Sequence, residues 1–347
     1  MLDGQSDAPV ALQAPALRAL ETLPMATIQD AGRVGWMRWG VSGGGAMDLQ
    51  SLASANALVG NDNGEAALEF ALAGGIWEIE AHSCRVAVCG GQFSVFVDNA
   101  RQEPYTSLTL RRGQMLRITA APDAIWGYLA VAGGFELPEA LGSRSTLLRA
   151  GIGGFHGRAL TAGDRLILRT QAVAHARTRA LPPPVRAAAE LRVVLGPQDD
   201  HFEHESLRHF INSDWRVSTK MDRMGYNLSG PILKHSDKGA NIVSDGVVAG
   251  SVQVPASGQP IALMMDRQPT GGYPKIATVV TADLGRLAQC RPGETVRFRP
   301  IPVHEAVAAR RSFTAAIANL RAVAEAPRPV FVKRRRPLQD VIANSER

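Results

Sequence analysis

Cysteine is scarce: the 347-residue chain has only Cys84, Cys89 and Cys290. So sparse and odd a set builds no disulfide framework, and it predicts a reducing compartment, the cytoplasm. Cys84 and Cys89 fall in HSCRVAVCGG, which reads as a strand. At their spacing they face opposite sides of it and suggest buried small side chains, not a metal site. No run of eighteen apolar residues occurs, so no membrane span is expected. The first residues, MLDGQSDAPVALQAPALRAL, carry acids and lack a basic start before a long apolar core, so no signal peptide is expected. No G-x-x-x-x-G-K-[ST] occurs, which excludes a standard P-loop. Excess charge of one sign is also missing from the body of the chain. The net charge is +6, but residues 301–347 hold nine Lys/Arg against four Asp/Glu, leaving +1 on the other 300 residues. The basicity concentrates in Lys333–Arg336, which argues against a nucleic-acid-binding body.

What is present points to β structure. Gly (34) and Pro (21) supply many turns. LRRGQMLRIT, LTAGDRLILR and CRPGETVRFR share one shape, a turn glycine feeding an alternating strand. Such repetition predicts small antiparallel barrels or sandwiches. Strands are expected at 85–89, 93–97, 115–119, 125–131, 191–195, 261–265 and 276–280, with too few helices between them for a doubly wound parallel sheet. The chain divides into a flexible leader (1–20), a first domain (21–170), a Pro/Ala-rich linker (171–189), a second domain (190–301), and a helix with a basic tail (302–347). The last helix is read from apolar residues at 303, 306, 307, 313, 316, 317, 320 and 323, with Pro327 and Pro329 stopping it. An earlier helix follows Asp48 as N-cap and ends at Gly60. Asn56 falls on its apolar face, so its amide must find partners, in a neighbouring loop or at a site.

Several motifs could carry chemistry. GVSGG (40–44) matches G-x-S-x-G, but no strand leads into it and no helix follows directly. Ser42 therefore reads less as a nucleophile than as part of a loop whose N–H groups can approach a ligand. His201, His204 and His209 lie in DDHFEHESLRHF, where a wet amphipathic helix is the better reading than a metal site. The richest stretch is DRQPTGGYPK, Asp266 to Lys275, between two strand-like runs. Arg267 and Lys275 offer positive charge, Thr270 and Tyr273 offer hydroxyls, and Gly271–Gly272 exposes backbone N–H groups. Such a set suits a carboxylate, carbamate or phosphate. Upstream, Asp245, Gln253 and Gln259 add donors and acceptors.

TIQDAGRVGWMRWGVSGGGAMD, RMGYNLSGP and SDGVVAGSVQVPASGQPIALMMDRQPTGGYPK, taken in order, resemble the carboxyltransferase subdomain A/B family. This family includes allophanate hydrolase subunit 2, the 5-oxoprolinase C subunit and the carboxyltransferase region of urea carboxylase. The resemblance covers roughly residues 22–300. It implies a mainly β chain of two linked cyclophilin-like β-barrel domains around a cleft. It also implies a hetero-oligomeric, ATP-dependent complex with a subunit-1 or subunit-B-like partner, and a subunit-A-like protein, acting on a small amide or lactam. Biotin enters only if the chain is a carboxyltransferase. A non-catalytic regulatory role is the third reading. The chain departs from the family's common DRQTTGGY at Pro269. On this reading Asp48, Asp245, Asp266 and Lys275 are candidate catalytic residues. Arg33, Ser42, Asn56, Arg223, Gln253, Gln259, Arg267, Thr270, Gly271, Gly272 and Tyr273 are candidate binding residues.

Overall fold

A computed structural model describes residues 14–173, 178–184 and 189–320. The basic tail and the two late prolines lie outside them. In chain order the first half forms β1 (Ala16–Glu21), β2 (Thr27–Gln29), α1 (Leu49–Val59), β3 (Ala67–Ala71), β4 (Gly75–Ile79), β5 (Ser83–Cys89), β6 (Ser94–Val97), β7 (Ala100–Gln102), β8 (Ser107–Arg111), β9 (Met115–Thr119), β10 (Trp126–Val131) and β11 (Arg165–Ile167). These make two sheets, ordered β11-β1-β4-β9-β6-β7 and β2-β3-β10-β5-β8. Leu17, Trp77, Val95 and Leu116 from the first meet Ile28, Phe70, Val86 and Leu129 from the second in one buried core.

The second sheet is buried on both faces. Val86 and Val88 enter the sandwich core, while Ala87 and Cys89 turn to α1. Small residues on that outer face, with Ala67, Ala71 and Ala130, let the helix lie close. Cys84 and Cys89 do face opposite sides, each in a different core. β1 starts within the stretch expected as a leader, because ALRALE alternates and its apolar half seals the sandwich edge between β11 and β4.

The second half forms β12 (Ala189–Leu195), α2 (His204–Asn212), β13 (Trp215–Met221), β14 (Gly225–Ser229), β15 (Asp245–Gly246), β16 (Ser251–Gln253), β17 (Ile261–Leu263), β18 (Thr270–Gly271), β19 (Lys275–Val279), α3 (Leu284–Ala288), β20 (Thr295–Pro300) and α4 (Val303–Asn319). Seven strands close a barrel, β12-β19-β16-β17-β14-β13-β20. Closure needs a parallel pairing of β12 with β20, which joins the two ends of the domain. β15 and β18 form a separate two-stranded ribbon. The mainly β expectation holds. The second half closes into a ring, whereas the first half builds two facing sheets.

The halves share a core. Leu52, Ala55 and Leu58 of α1 belong to the same buried cluster as Trp215, Tyr226 and Leu287. Polar bonds reinforce it. The Trp126 indole donates to the Tyr226 hydroxyl at 2.8 Å, and that hydroxyl donates to the Ala288 carbonyl at 2.7 Å. Within the expected linker, Arg179–Leu181 is hydrogen-bonded along Tyr105–Ser107.

Candidate functional site

The first domain's Gly-rich loop (residues 32–46) lies against the Met264–Arg267 turn of the second domain. Ser42 Oγ donates to the Met265 carbonyl at 3.1 Å, and Arg267 Nη2 sits 3.2 Å from Met37 Sδ. Arg223 lies buried beneath this seam. Its guanidinium grips Asp266 with Nε and Nη2, at 2.9 and 2.8 Å, and Nη2 also donates to the Gly45 carbonyl at 2.7 Å. Nη1 donates to Glu69 of β3. Glu69 accepts two further bonds, from the Met47 N–H at 2.8 Å and the Tyr128 hydroxyl at 2.7 Å. One arginine is thus shared by two carboxylates from different domains. Burial works against its charge, yet Glu69 and Asp266 outweigh that and raise its pKa. Burial pushes the Glu69 carboxyl above its ordinary range even against Arg223.

Two more buried arginines flank Asp266. Arg33 donates from Nε to Ala140 O at 3.0 Å and from Nη2 to Ser145 O. Its Nη1 is buried without a hydrogen-bond acceptor, as is Nε of Arg267. Besides the Met37 sulfur, the Arg267 guanidinium has only 3.4 Å approaches from Nη1 to the Met264 and Met265 carbonyls. Burial lowers the pKa of both arginines; Asp30 and then Asp266 partly offset it at Arg33, and Asp266 does so at Arg267. An orphaned, buried N–H costs about 1–3 kcal/mol. Two beside one carboxylate make a seam with more guanidinium donors than acceptors, which is chemistry suited to an anion.

The other candidates lie elsewhere or are engaged. Asp48 caps α1: its oxygens accept from the Ser51 N–H at 3.2 Å, the Ser51 hydroxyl at 2.7 Å and Gln289 Nε2 at 3.0 Å. A side chain on Gly285 would come within 2.7 Å of Asp48, so α3 packs directly on this cap. Asn56 donates to the Glu65 carbonyl and accepts from Asn61, bracing a loop away from the seam. Gln259 bonds both backbone groups of Gly230, which ties two loops together. Lys275 is 2% exposed, and its Nζ binds Asp245 at 2.7 Å and the Gly246 carbonyl at 3.1 Å. That bond holds the Asp245 carboxyl below the usual range. A Cβ on Gly271 would meet Gln253 Nε2, so the bare backbone here leaves room for the Gln253 amide. Thr270, Gly271, Gly272 and Tyr273 line this outer ribbon, with Tyr273 42% exposed. The Asp266–Lys275 stretch therefore divides. Asp266 and Arg267 go to the seam, and Lys275 locks the ribbon to the barrel.

Glu69, Tyr128 and Gln289 escape the sequence reading. Gln289 accepts from the Ile125 and Trp126 N–H groups and donates to Trp126 O and Asp48. The available signal was one acid inside the apolar strand ALEFA, a position that demands a partner. His201 bonds the Gly239 carbonyl, and among the described residues no cluster of His, Cys, Asp and Glu is placed to hold a metal. Among them, too, no helix is long and apolar enough to cross a membrane.

A two-domain β protein with a buried, arginine-rich seam is the class that fold and site define. The chain belongs to the family described as carboxyltransferase domain, subdomain A and B, which matches residues 39–300. It is 40% identical to the 5-oxoprolinase C subunit of Haemophilus influenzae over 84% of this chain and 93% of that protein. It is 38% identical to the 5-oxoprolinase C subunit of Escherichia coli over 82% of this chain and 91% of that one. The crystal structure of Kluyveromyces lactis urea carboxylase superposes with a TM-score of 0.81 at 28% identity. The match covers 88% of this chain and 29% of that larger one.

Proposed function

We propose that the chain is the C subunit of a 5-oxoprolinase-type complex and that its seam binds the lactam acid. The pair of unpartnered buried guanidinium nitrogens beside Asp266 carries this reading. Arg33 and Arg267 hold the substrate carboxylate. Asp266, fixed in place by Arg223, is the candidate proton carrier. The likeness in sequence to two proteins named as 5-oxoprolinase C subunits, over nearly their whole lengths, supports the choice of substrate. ATP belongs to the assembled complex, with subunit-B-like and subunit-A-like partners. The cavity next to the seam has Arg310 as its one charged lining residue, a poor match for a triphosphate. No nucleotide step is therefore assigned to this chain's residues.

The test is glutamate formation and phosphate release by the reconstituted complex, with and without 5-oxoproline. Arg267→Ala should raise KM for 5-oxoproline by about tenfold or more, the loss of one charge-assisted contact. Unchanged kinetics in that variant would overturn the binding role. The likeness to urea carboxylase favours a second reading, carboxyl transfer from carboxybiotin to urea or a similar amide. That reading requires a biotin carrier in the complex, and activity lost on adding avidin would reveal it.

A further inference from the structure

The cavity next to the seam, of about 510 Å³, lies between the two domains beneath α4. The first domain contributes Met47 and Leu49, the barrel contributes Val194 and Val279, and α4 closes the outer side. The helix presents Val303, Ala306, Val307, Arg310 and Phe313, the i, i+3, i+4 spacing of one face. α4 leaves the barrel just after β20. Its far end is held to the first domain by Asn63 Nδ2, which donates to the Ile317 carbonyl at 2.6 Å. It therefore bridges both domains like a strap. It also lies beyond the family match, which ends at residue 300.

The lining is mostly apolar, with Thr278 and Thr281 among it, and the helix that closes it offers one cation. Among the described residues no carboxylate pairs with the Arg310 guanidinium. Val303 and Val307 remain 63% and 42% exposed although both line the cavity, so its mouth opens along α4 beside Arg310. An apolar cavity of this volume is in the range of small-molecule sites, and a single charged group at its mouth fixes the orientation of what enters. We propose that the cavity under α4 binds an amphiphilic carboxylate, its hydrocarbon body between the domains and its head on Arg310. This site adjoins the lactam seam, and Gly44, Gly45 and Met265 line it, but its charged group, Arg310, belongs to α4 and not to the seam.

Octanoate is the probe, with octan-1-ol and octylamine as partners in isothermal titration of the full chain. Octanoate should bind saturably and about tenfold more tightly than octanol, and octylamine most weakly. Val307→Trp, which fills the cavity, should abolish binding of all three. Arg310→Gln should remove octanoate's advantage over octanol. Arg311→Gln, the same charge change on a residue that does not line the cavity, should leave it intact. All three substitutions fall on partly or wholly exposed positions of α4, and circular dichroism checks that the helix persists. Three results would each overturn the proposal: no saturable octanoate binding, binding that survives Val307→Trp, or equal losses in the Arg310 and Arg311 variants.

Discussion

At the scale of the residue, Arg223 is the side chain that ties the two domains' carboxylates together. It satisfies Glu69 from one domain and Asp266 from the other, and both are buried. Removing one member of such a group leaves uncompensated charge in low dielectric, which costs about 3–5 kcal/mol. Arg223→Met should show a loss of this order in urea denaturation at pH 7. Arg223→Lys should recover only part of it, since an ammonium cannot span both carboxylates as the planar fork does. The pH dependence has a definite sign. Glu69's pKa is raised in the folded state, so its contribution is fully present below the ordinary glutamate value and is lost as pH rises through the raised one. Lowering the pH from 7 toward 5 should therefore shrink the Arg223→Met penalty as Glu69 takes up a proton. A penalty that grows on acidification would contradict a buried, proton-accepting Glu69. Arg223 stood out in the sequence through RMGYNLSGP. Glu69 did not, because its partners come from β10, the Met47 turn and a loop more than a hundred residues away. Pairing across such distances leaves no local pattern.

At the scale of the element, α1 and the ribbon separate structural from chemical roles. The start and stop of α1 were legible, since Asp48 and Gly60 act through bonds to their own helix. The attachment of Gln289 to the Asp48 cap was not, since it comes from another domain. Asp48→Ala should cost about 1–2 kcal/mol from the cap alone, read by chemical denaturation. Asp48→Asn keeps a capping oxygen and should restore most of that stability. If Asp48→Asn is stable but inactive in the complex, Asp48 carries a proton after all. The ribbon behaves differently. Its tie to the barrel is Lys275 to Asp245, with a lowered Asp245 pKa caused first by the Lys275 hydrogen bond. A lowered folded pKa means the contribution is present above the ordinary aspartate value and lost as pH falls through the lowered one. In Lys275→Met the Asp245 pKa should return toward that ordinary value in an NMR titration. The Val247 amide, which bonds Pro269 O across the ribbon, should then exchange faster at neutral pH. Protection equal to wild type would show that the backbone pairing holds the ribbon without the lysine.

At the scale of the whole molecule, the sequence divides more cleanly than the structure does. Composition and repeated turn–strand units outline two β blocks, and each block does form its own sheets. What they do not reveal is that α1's inner face and the barrel's Trp215 and Tyr226 occupy one continuous core. Apolar periodicity shows that a face is buried but not against what. The interface is also bonded through Trp126, Tyr226, Ala288 and Gln289, with little room for one half to unfold and leave the other intact. Separating them would expose the shared cluster and strand the Ile125 and Trp126 N–H groups now paired with Gln289. The domains should therefore melt together. Calorimetry is expected to give a single transition whose calorimetric and van't Hoff enthalpies agree. Gln289→Ala leaves those two N–H groups and a carbonyl without partners, so it should lower the stability by a few kcal/mol, about 1–3 kcal/mol per stranded group at most. It should also begin to split that transition in two. Two well-resolved transitions in the wild-type chain would instead mean that each half is stable alone and that the seam closes only when ligand or partner is bound.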